Sequence, residues 1–291
     1  MPGRPSCEVP ASLSWLAQRP DGKAWLSRLP HLVTDACDRF KAVPDGPAFS
    51  GGNVSYVLPV TRNGLPAVLK LQFTDRESRH EADALAHWNG NGASRLLAHA
   101  PDLGALLLER CHPGTFLADA SDADAINILG GLLRRLLIPA DAPFNSLSEE
   151  AVRWATTMGE TWRQAGQPCE KRLVEAAQSA LRALSSEDHG QVLLHQDLHG
   201  HNVLSAEREP WLVIDPKPLA GDPAFSLSPI VRSFEFGASR EAALYRLDRL
   251  SEELGVDRER ARLWTVGQTM AWSFGSSYSE QHFNTVRWLL P

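Results

Sequence analysis

Strand-type patterning in this 291-residue chain is crowded into residues 49–114, and the chain beyond residue 115 is patterned mostly as helix. Strands that come first and helices that come after point to an α+β protein whose β-rich and helical parts are segregated. The length is sufficient for two such parts, each with its own core.

Residues 11–40 carry Leu13, Leu16, Trp25, Leu29, Leu32 and Phe40 at mixed helical spacing, broken by Pro20 and Pro30, which predicts short leading helices. From 49 to 73, FSGGNVSYVLPV and AVLKLQF flank an Asn-Gly step and read as a β-hairpin. Residues 75–89 set Ala82, Leu85 and Trp88 on one helical face, and the GNG at 90–92 ends that helix. GALLLERCHPG, 104–114, reads as a strand entering a Pro-Gly turn, the best candidate for a linker. Helices are then expected over 122–137, 146–164 with a capping box from Ser146 to Glu149, and about 169–185. Helices over 239–254, with Leu244, Leu247, Leu250 and Leu254 as a core stripe, and over 257–275 close the chain. Between these groups stand two very short apolar strands, 191–194 and 211–214.

A formal net charge of -6 gives no electrostatic footprint for nucleic acid, and no polybasic cluster suggests an anionic membrane surface. Cys7, Cys37, Cys111 and Cys169 are scattered without CxxC spacing, so neither a zinc site nor a disulfide framework is indicated. With no signal-like leader and no apolar run of ~18 residues, a cytoplasmic protein is expected.

The chemistry concentrates in LLHQDLHGHNVL, 193–204, just after the first short strand. His195-x-Asp197 is followed five residues later by Asn202, and the next strand ends in Ile214-Asp215. Phosphoryl transfer needs a carboxylate to position and deprotonate an attacking hydroxyl, with an amide oxygen and a second carboxylate to hold Mg²⁺. Asp197, Asn202 and Asp215 supply these groups in that order. A zinc reading would use His195, His199 and His201 with Asp197, but explains neither Asn202 nor Asp215. The plainer alternative is a structural His195 with Asp197 and Asn202 as turn residues. His199 and His201 are open between packing and substrate contact.

Upstream, Lys70 lies in the strand AVLKL after a glycine-containing hairpin, where its ammonium could reach nucleotide phosphates, and Glu81 follows on a helix where it could pair with it. Ser50, Gly51, Gly52 and Asn53 could present backbone N–H groups to phosphate, although GxGxxG is absent and a plain hairpin turn competes.

With these motifs, residues 49–235 resemble the aminoglycoside phosphotransferase family, and IDPKPLAGDPAF (214–225) resembles its streptomycin 6-phosphotransferase and hydroxyurea phosphotransferase branch. The resemblance implies a two-lobed, protein-kinase-like α+β fold: a β-rich N-terminal lobe over 1–108, a hinge over 109–114, and a larger, mainly helical C-terminal lobe over 115–291. It implies Asp197 as catalytic base, Asn202 and Asp215 as magnesium ligands, Lys70 as phosphate anchor and Glu81 as its partner. Backbone groups of Glu109 and Cys111 would meet the adenine. ATP is the implied donor, with GTP not excluded, and a small cationic aminoglycoside antibiotic the implied acceptor, streptomycin leading. The alternatives are hydroxyurea, a viomycin-type peptide antibiotic or a metabolite as acceptor, or a non-catalytic nucleotide-binding module. A monomer is expected.

Two departures from the family pattern stand out. The usual HGD is His195-Gln196-Asp197 here, and Ser226 replaces a carboxylate expected to brace the catalytic loop. Asp222 reads as a bracing or capping residue, with a Mg²⁺ role as the lesser alternative, and Lys217 as either phosphate-facing or solvated. Residues 101–170 hold ten acidic against five basic residues, a surface that would suit a polycation, although Asp119, Asp122 and Asp124 also suit a helix N-terminus. Trp264, Gln268 and Trp272 share one helical face, a pattern common to cores. His199, Gln268 and Glu280 are the speculative acceptor contacts.

Overall fold

The computed structural model describes residues 8–52, 54–121, 124–140, 142–186 and 190–291. It divides between Gly114 and Thr115 into two compact units.

The first unit is a five-stranded antiparallel sheet in the order β1 (Ala42–Pro44), β2 (Ser55–Arg62), β3 (Leu65–Gln72), β5 (Ala105–Glu109), β4 (Leu96–Ala100). β2 and β3 are joined by Asn63-Gly64, both at positive φ (51° and 77°), the two-residue turn whose twist matches the strands. Side chains alternate across β3. Leu69 and Leu71 join the core with Leu29, Val33 and Phe40 of the helix α1 (Pro20–Phe40), so Lys70 between them faces the other side. There lies the helix α2 (Glu81–Trp88).

The second unit is built around α8 (Arg258–Ala271), which packs against α4 (Leu147–Gln164), α5 (Lys171–Ser185), the short α6 (Ser228–Arg232), α7 (Arg240–Leu254) and α9 (Ser279–Leu289). α3 (Ala125–Leu136) packs on α7. Two three-stranded sheets are set among them. One orders β7 (Asn145–Ser146), β11 (Leu219–Gly221) and β8 (Val192–Leu194); the other orders β10 (Trp211–Val213), β9 (Val203–Ala206) and β6 (Pro113–Phe116). The polar stretch identified in the sequence connects β8 to β9.

Several expectations need correction. Residues 20–40 form one helix rather than short pieces, because Pro20 occupies its first turn, where no N–H is required, and Pro30 is accommodated inside. The helix expected from residue 75 begins at Glu81. Asp75 Oδ1 instead accepts from the N–H groups of Glu77 and Ser78, each at 2.9 Å, and closes a turn. The helix expected to 275 stops at Ala271, and α9 beyond it is the last. β1, β4, β6, β7, β9 and β11, which the sequence patterning did not mark as separate strands, complete the sheets. Leu247 and Leu250 are buried as expected, but Leu244 and Leu254 are half-buried, and Arg246 shares the inner face.

Candidate active site

In the first unit Lys70 and Glu81 form a buried ion pair, with Nζ donating to both carboxylate oxygens at 2.7 and 2.6 Å. Gln72 Nε2 also donates to Glu81 Oε2, at 2.5 Å. A charge taken out of water needs this degree of pairing, and the same pairing fixes the ammonium's position. The glycine segment lies in the connection from β1 to β2, held where Phe49 N–H donates to Val57 O and Ser12 Oγ to Gly52 O. Ser50 and Gly51 are exposed, while a Cβ on Gly52 would run into the Ser55 carbonyl oxygen. Asn53 lies outside the described residues. The Glu109 N–H, expected at a nucleotide base, donates to Arg95 O at 2.9 Å, and its side chain accepts from Arg95 N at 3.0 Å. Cys111 carries a half-buried thiol.

In the second unit the β8–β9 loop is fixed by its own backbone. The register Val203↔Val213 continues as Ile214 N–H to Asn202 O, 3.0 Å, which brings Asn202 beside Asp215. Lys217 N–H to His195 O, 3.0 Å, extends the β8–β11 pairing. His195 is fully buried: Nε2 donates to Ile214 O at 2.9 Å and Nδ1 accepts from Asp197 N. Burial pushes its pKa down to about 4, so the ring is neutral and this tautomer is the one its partners require. With both nitrogens engaged, His195 cannot ligate zinc. Asn202 Nδ2 donates to Asp197 O at 2.8 Å, leaving Oδ1 as a hard oxygen donor. Gln196 and Asp215 both take left-handed backbone (φ 66° and 55°), a conformation costing about 1–2 kcal/mol for a non-glycine residue and tolerated where surrounding bonds impose it.

The Asp197 carboxylate is held between two cations. Lys217 Nζ donates to Oδ2 at 2.9 Å and Arg232 Nη2 to Oδ1 at 3.1 Å. Both cations rest on the face of Trp272, at 4.9 and 4.5 Å from its centroid. Burial alone would favour the neutral acid; the charges of Lys217 and Arg232, with a smaller effect from His199, outweigh it and hold the carboxyl well below the usual carboxylate range. The group is an anion whose two oxygens are both oriented.

A second clasp comes from Glu235. Its Oε2 accepts from Gly200 N–H at 2.6 Å and Ser233 Oγ at 3.1 Å, and its Oε1 from the Nδ1 atoms of His199 (2.7 Å) and His201 (2.5 Å). Burial opposes the charge, but these bonds from His199, His201 and Gly200 bring its pKa down to about 2. Gly200 is required because a Cβ there would lie 2.7 Å from Glu235 Oε2 and 2.6 Å from the Phe236 ring. The segment carrying Arg232 and Glu235 is itself pinned by Arg246, 2% exposed, whose guanidinium donates to the carbonyls of Val231, Ser233, Phe236 and Gly237.

The remaining expected contacts fall elsewhere. Gln268 is fully buried and donates from Nε2 to Gln196 O at 2.9 Å, so it braces the loop and does not line an acceptor site. Glu280 is an exposed partner of Arg287 on α9. Asp222 caps residues 223–227 and also receives Trp264 Nε1, 2.6 Å, and Arg260. Ser226 Oγ donates to Pro223 O at 2.7 Å; bracing of the loop passes to Gln268 and Glu235. Much of the acidic excess in 101–170 is used locally: Asp124 caps α3, and Asp102, Glu150, Glu160 and Glu170 pair with Arg39, Arg153, Arg163 and Arg287. Asp122 and Asp141 lie outside the described residues.

Arg232, Glu235, Arg246 and Trp272 went unrecognised in the sequence. An ion-pair partner carries no local signature, and only the charged residues among the apolar run SLSPIVRSFEF marked that segment as unusual.

Comparison with known proteins identifies the family and the fold. Residues 39–278 match the family described as aminoglycoside/hydroxyurea antibiotic resistance kinase. The chain is 42% identical over 258 residues to a streptomycin 6-kinase of Streptomyces glaucescens, covering 86% of this chain and 83% of that one. It is 40% identical over 272 residues to a hydroxyurea phosphotransferase of Kitasatospora aureofaciens, covering 90% and 78%. Among solved structures, choline kinase LicA from Streptococcus pneumoniae (TM-score 0.63, 14% identity, 89% of this chain and 99% of that chain) and aminoglycoside phosphotransferase APH(4)-Ia (0.63, 16%, 89% and 94%) share the protein-kinase-like α+β fold. The chain belongs to the aminoglycoside/hydroxyurea antibiotic resistance kinases, a family of phosphotransferases.

Proposed function

We propose that this kinase transfers the γ-phosphoryl group of ATP to a hydroxyl of an aminoglycoside, with the 6-hydroxyl of streptomycin as the leading acceptor, and so confers resistance. The observation that carries the acceptor is the 42% identity, spread over 86% of the chain, to a streptomycin 6-kinase. In this reading residues 109–114 are the hinge between lobes at 1–108 and 115–291, and Lys70, held by Glu81, anchors the donor phosphates.

Asp197 accepts a hydrogen bond from the acceptor hydroxyl and takes its proton as the bond to phosphorus forms. A carboxylate bound by two cations is a weak base, so its main contribution is orientation: it aims one lone pair of the hydroxyl along the line of attack. Asn202 and Asp215 fit Mg²⁺: the amide has its nitrogen committed to Asp197 O, both side chains offer hard oxygens, and the Ile214 N–H to Asn202 O bond sets the two residues on neighbouring chains at the open end of the β9–β10 pair. When bound, the ion would supply charge neutralisation at the transferring phosphate.

ADP release measured across streptomycin, other aminoglycosides, hydroxyurea and viomycin tests this reading, with phosphorus NMR locating the phosphate. Asp197→Ala is expected to bind nucleotide and lose turnover. Absence of streptomycin-stimulated ADP release, or full activity in that variant, would reject it. Hydroxyurea is the second reading, supported by the 40% identity to a hydroxyurea phosphotransferase.

A further inference from the structure

We propose that His199, His201 and Glu235 form a binding site for a divalent transition-metal ion of the zinc class, distinct from the magnesium ligands and independent of the acceptor's identity. One ring nitrogen from each histidine and one carboxylate oxygen lie within 4.8 Å of one another. Both imidazoles turn the same nitrogen on the same oxygen, Glu235 Oε1, at 2.7 and 2.5 Å.

The surroundings fix which atoms would ligate. Oε2 is tied by Gly200 N–H and Ser233 Oγ, so Oε1 is the atom presented to the two rings. Such outer hydrogen bonds orient a ligating carboxylate. Arg246 immobilises the backbone on either side of Glu235, and Phe116 packs edge-on against His201 with centroids 5.5 Å apart. The His201 side chain is 49% exposed, which gives an ion a way in.

Two imidazoles and one carboxylate suit zinc, which commonly takes three protein ligands and keeps a fourth position for water. Magnesium prefers an all-oxygen set and is not expected here. Binding needs each Nδ1 free of its proton: a neutral ring shifts to the Nε2–H tautomer with no net release, and an imidazolium ring releases one proton to solvent. A tetrahedral ion with bonds near 2.0–2.1 Å sets ligand atoms roughly 3.3 Å apart, so the rings need to swing by less than about 1 Å. Occupancy would cross-link residues 199 and 201 to 235 and stiffen the loop that carries Asp197 and Asn202.

The test uses the full chain after chelator treatment and dialysis, titrated with ZnCl₂, CoCl₂ and MgCl₂. Calorimetry, cobalt visible absorption and thermal melting are read without any substrate present. One equivalent of zinc is expected to bind and raise Tm, with cobalt giving the intense bands of a tetrahedral site and magnesium giving neither. His201→Asn and Glu235→Gln should each weaken zinc by more than about 10-fold, the lower bound for disturbing even an outer shell. His31→Ala, on the exposed side of α1, should not. Zinc binding that survives both substitutions, or no binding by the native chain, overturns the proposal. The His201→Asn arm keeps a folded protein in the comparison, since that side chain is half exposed.

Discussion

Replacing Lys217 by Met removes one of the two cations on Asp197 while keeping the side chain's length over Trp272. The bond lost is a charge-assisted one of 2.9 Å between groups whose side chains are 25% and 15% exposed. Hydrogen bonds to charged groups contribute about 1.5–3 kcal/mol, and partial exposure of the lysine places this one toward the lower end. At 1.36 kcal/mol per decade, kcat/KM should fall roughly 10- to 50-fold if the orientation of Asp197 matters in the transition state. Arg232 still holds Oδ1, so activity should not vanish. A second readout separates this from a loss of folding. The Asp197 carboxyl lies below its ordinary range because Lys217, Arg232 and His199 face it, so the pairing stabilises the fold above the unfolded carboxyl's pKa and is lost as pH falls through the folded value. Without Lys217 that pKa rises, and the acid limb of the kcat/KM profile should move to higher pH. Steady-state kinetics from pH 3 to 9 on native, Lys217→Met and Lys217→Arg chains measures both, with arginine restoring part of the rate. A methionine variant within two-fold of native, with its acid limb unmoved, would refute the assignment.

Arg246→Lys should be among the most damaging conservative changes. One ammonium cannot reach four carbonyls, so about two are left buried without a partner at about 1–3 kcal/mol each, and urea unfolding should show a loss of roughly 3–5 kcal/mol. Gly200→Ala should cost activity more than stability, because the added Cβ displaces Glu235 and Phe236 from the loop; an alanine variant with native turnover would show that the Glu235 clasp is dispensable.

Neighbours in sequence, acting through backbone geometry, left clear marks. The Asn63-Gly64 turn set the β2–β3 register and so put Lys70 opposite to Leu69 and Leu71. Short strands around LLHQDLHGHNVL made it a loop between paired elements, which brought Asn202 to Asp215 by hydrogen bonding alone. Ser146 capped its helix as its spacing to Glu149 required. Where a local competitor existed, sequence patterning misled: Asp75 closed a turn in place of a helical start, and the Trp264–Gln268–Trp272 stripe hid one loop brace and one cation platform.

Tertiary structure alone decided the electrostatics. Asp197 is bound by residues 20 and 35 positions away, and His199 by one 36 positions away, across a connection whose path depends on the packing of α6, α7 and α8. Periodicity reports which face of a helix or strand is apolar, because burial acts on every turn alike. The partner of a single charge is fixed by where the backbone ends up in three dimensions, and no local pattern encodes that. Hence the loop and its candidate site residues were legible in the chain, while the cations, the tryptophan and the carboxylate that hold them were supplied by the fold.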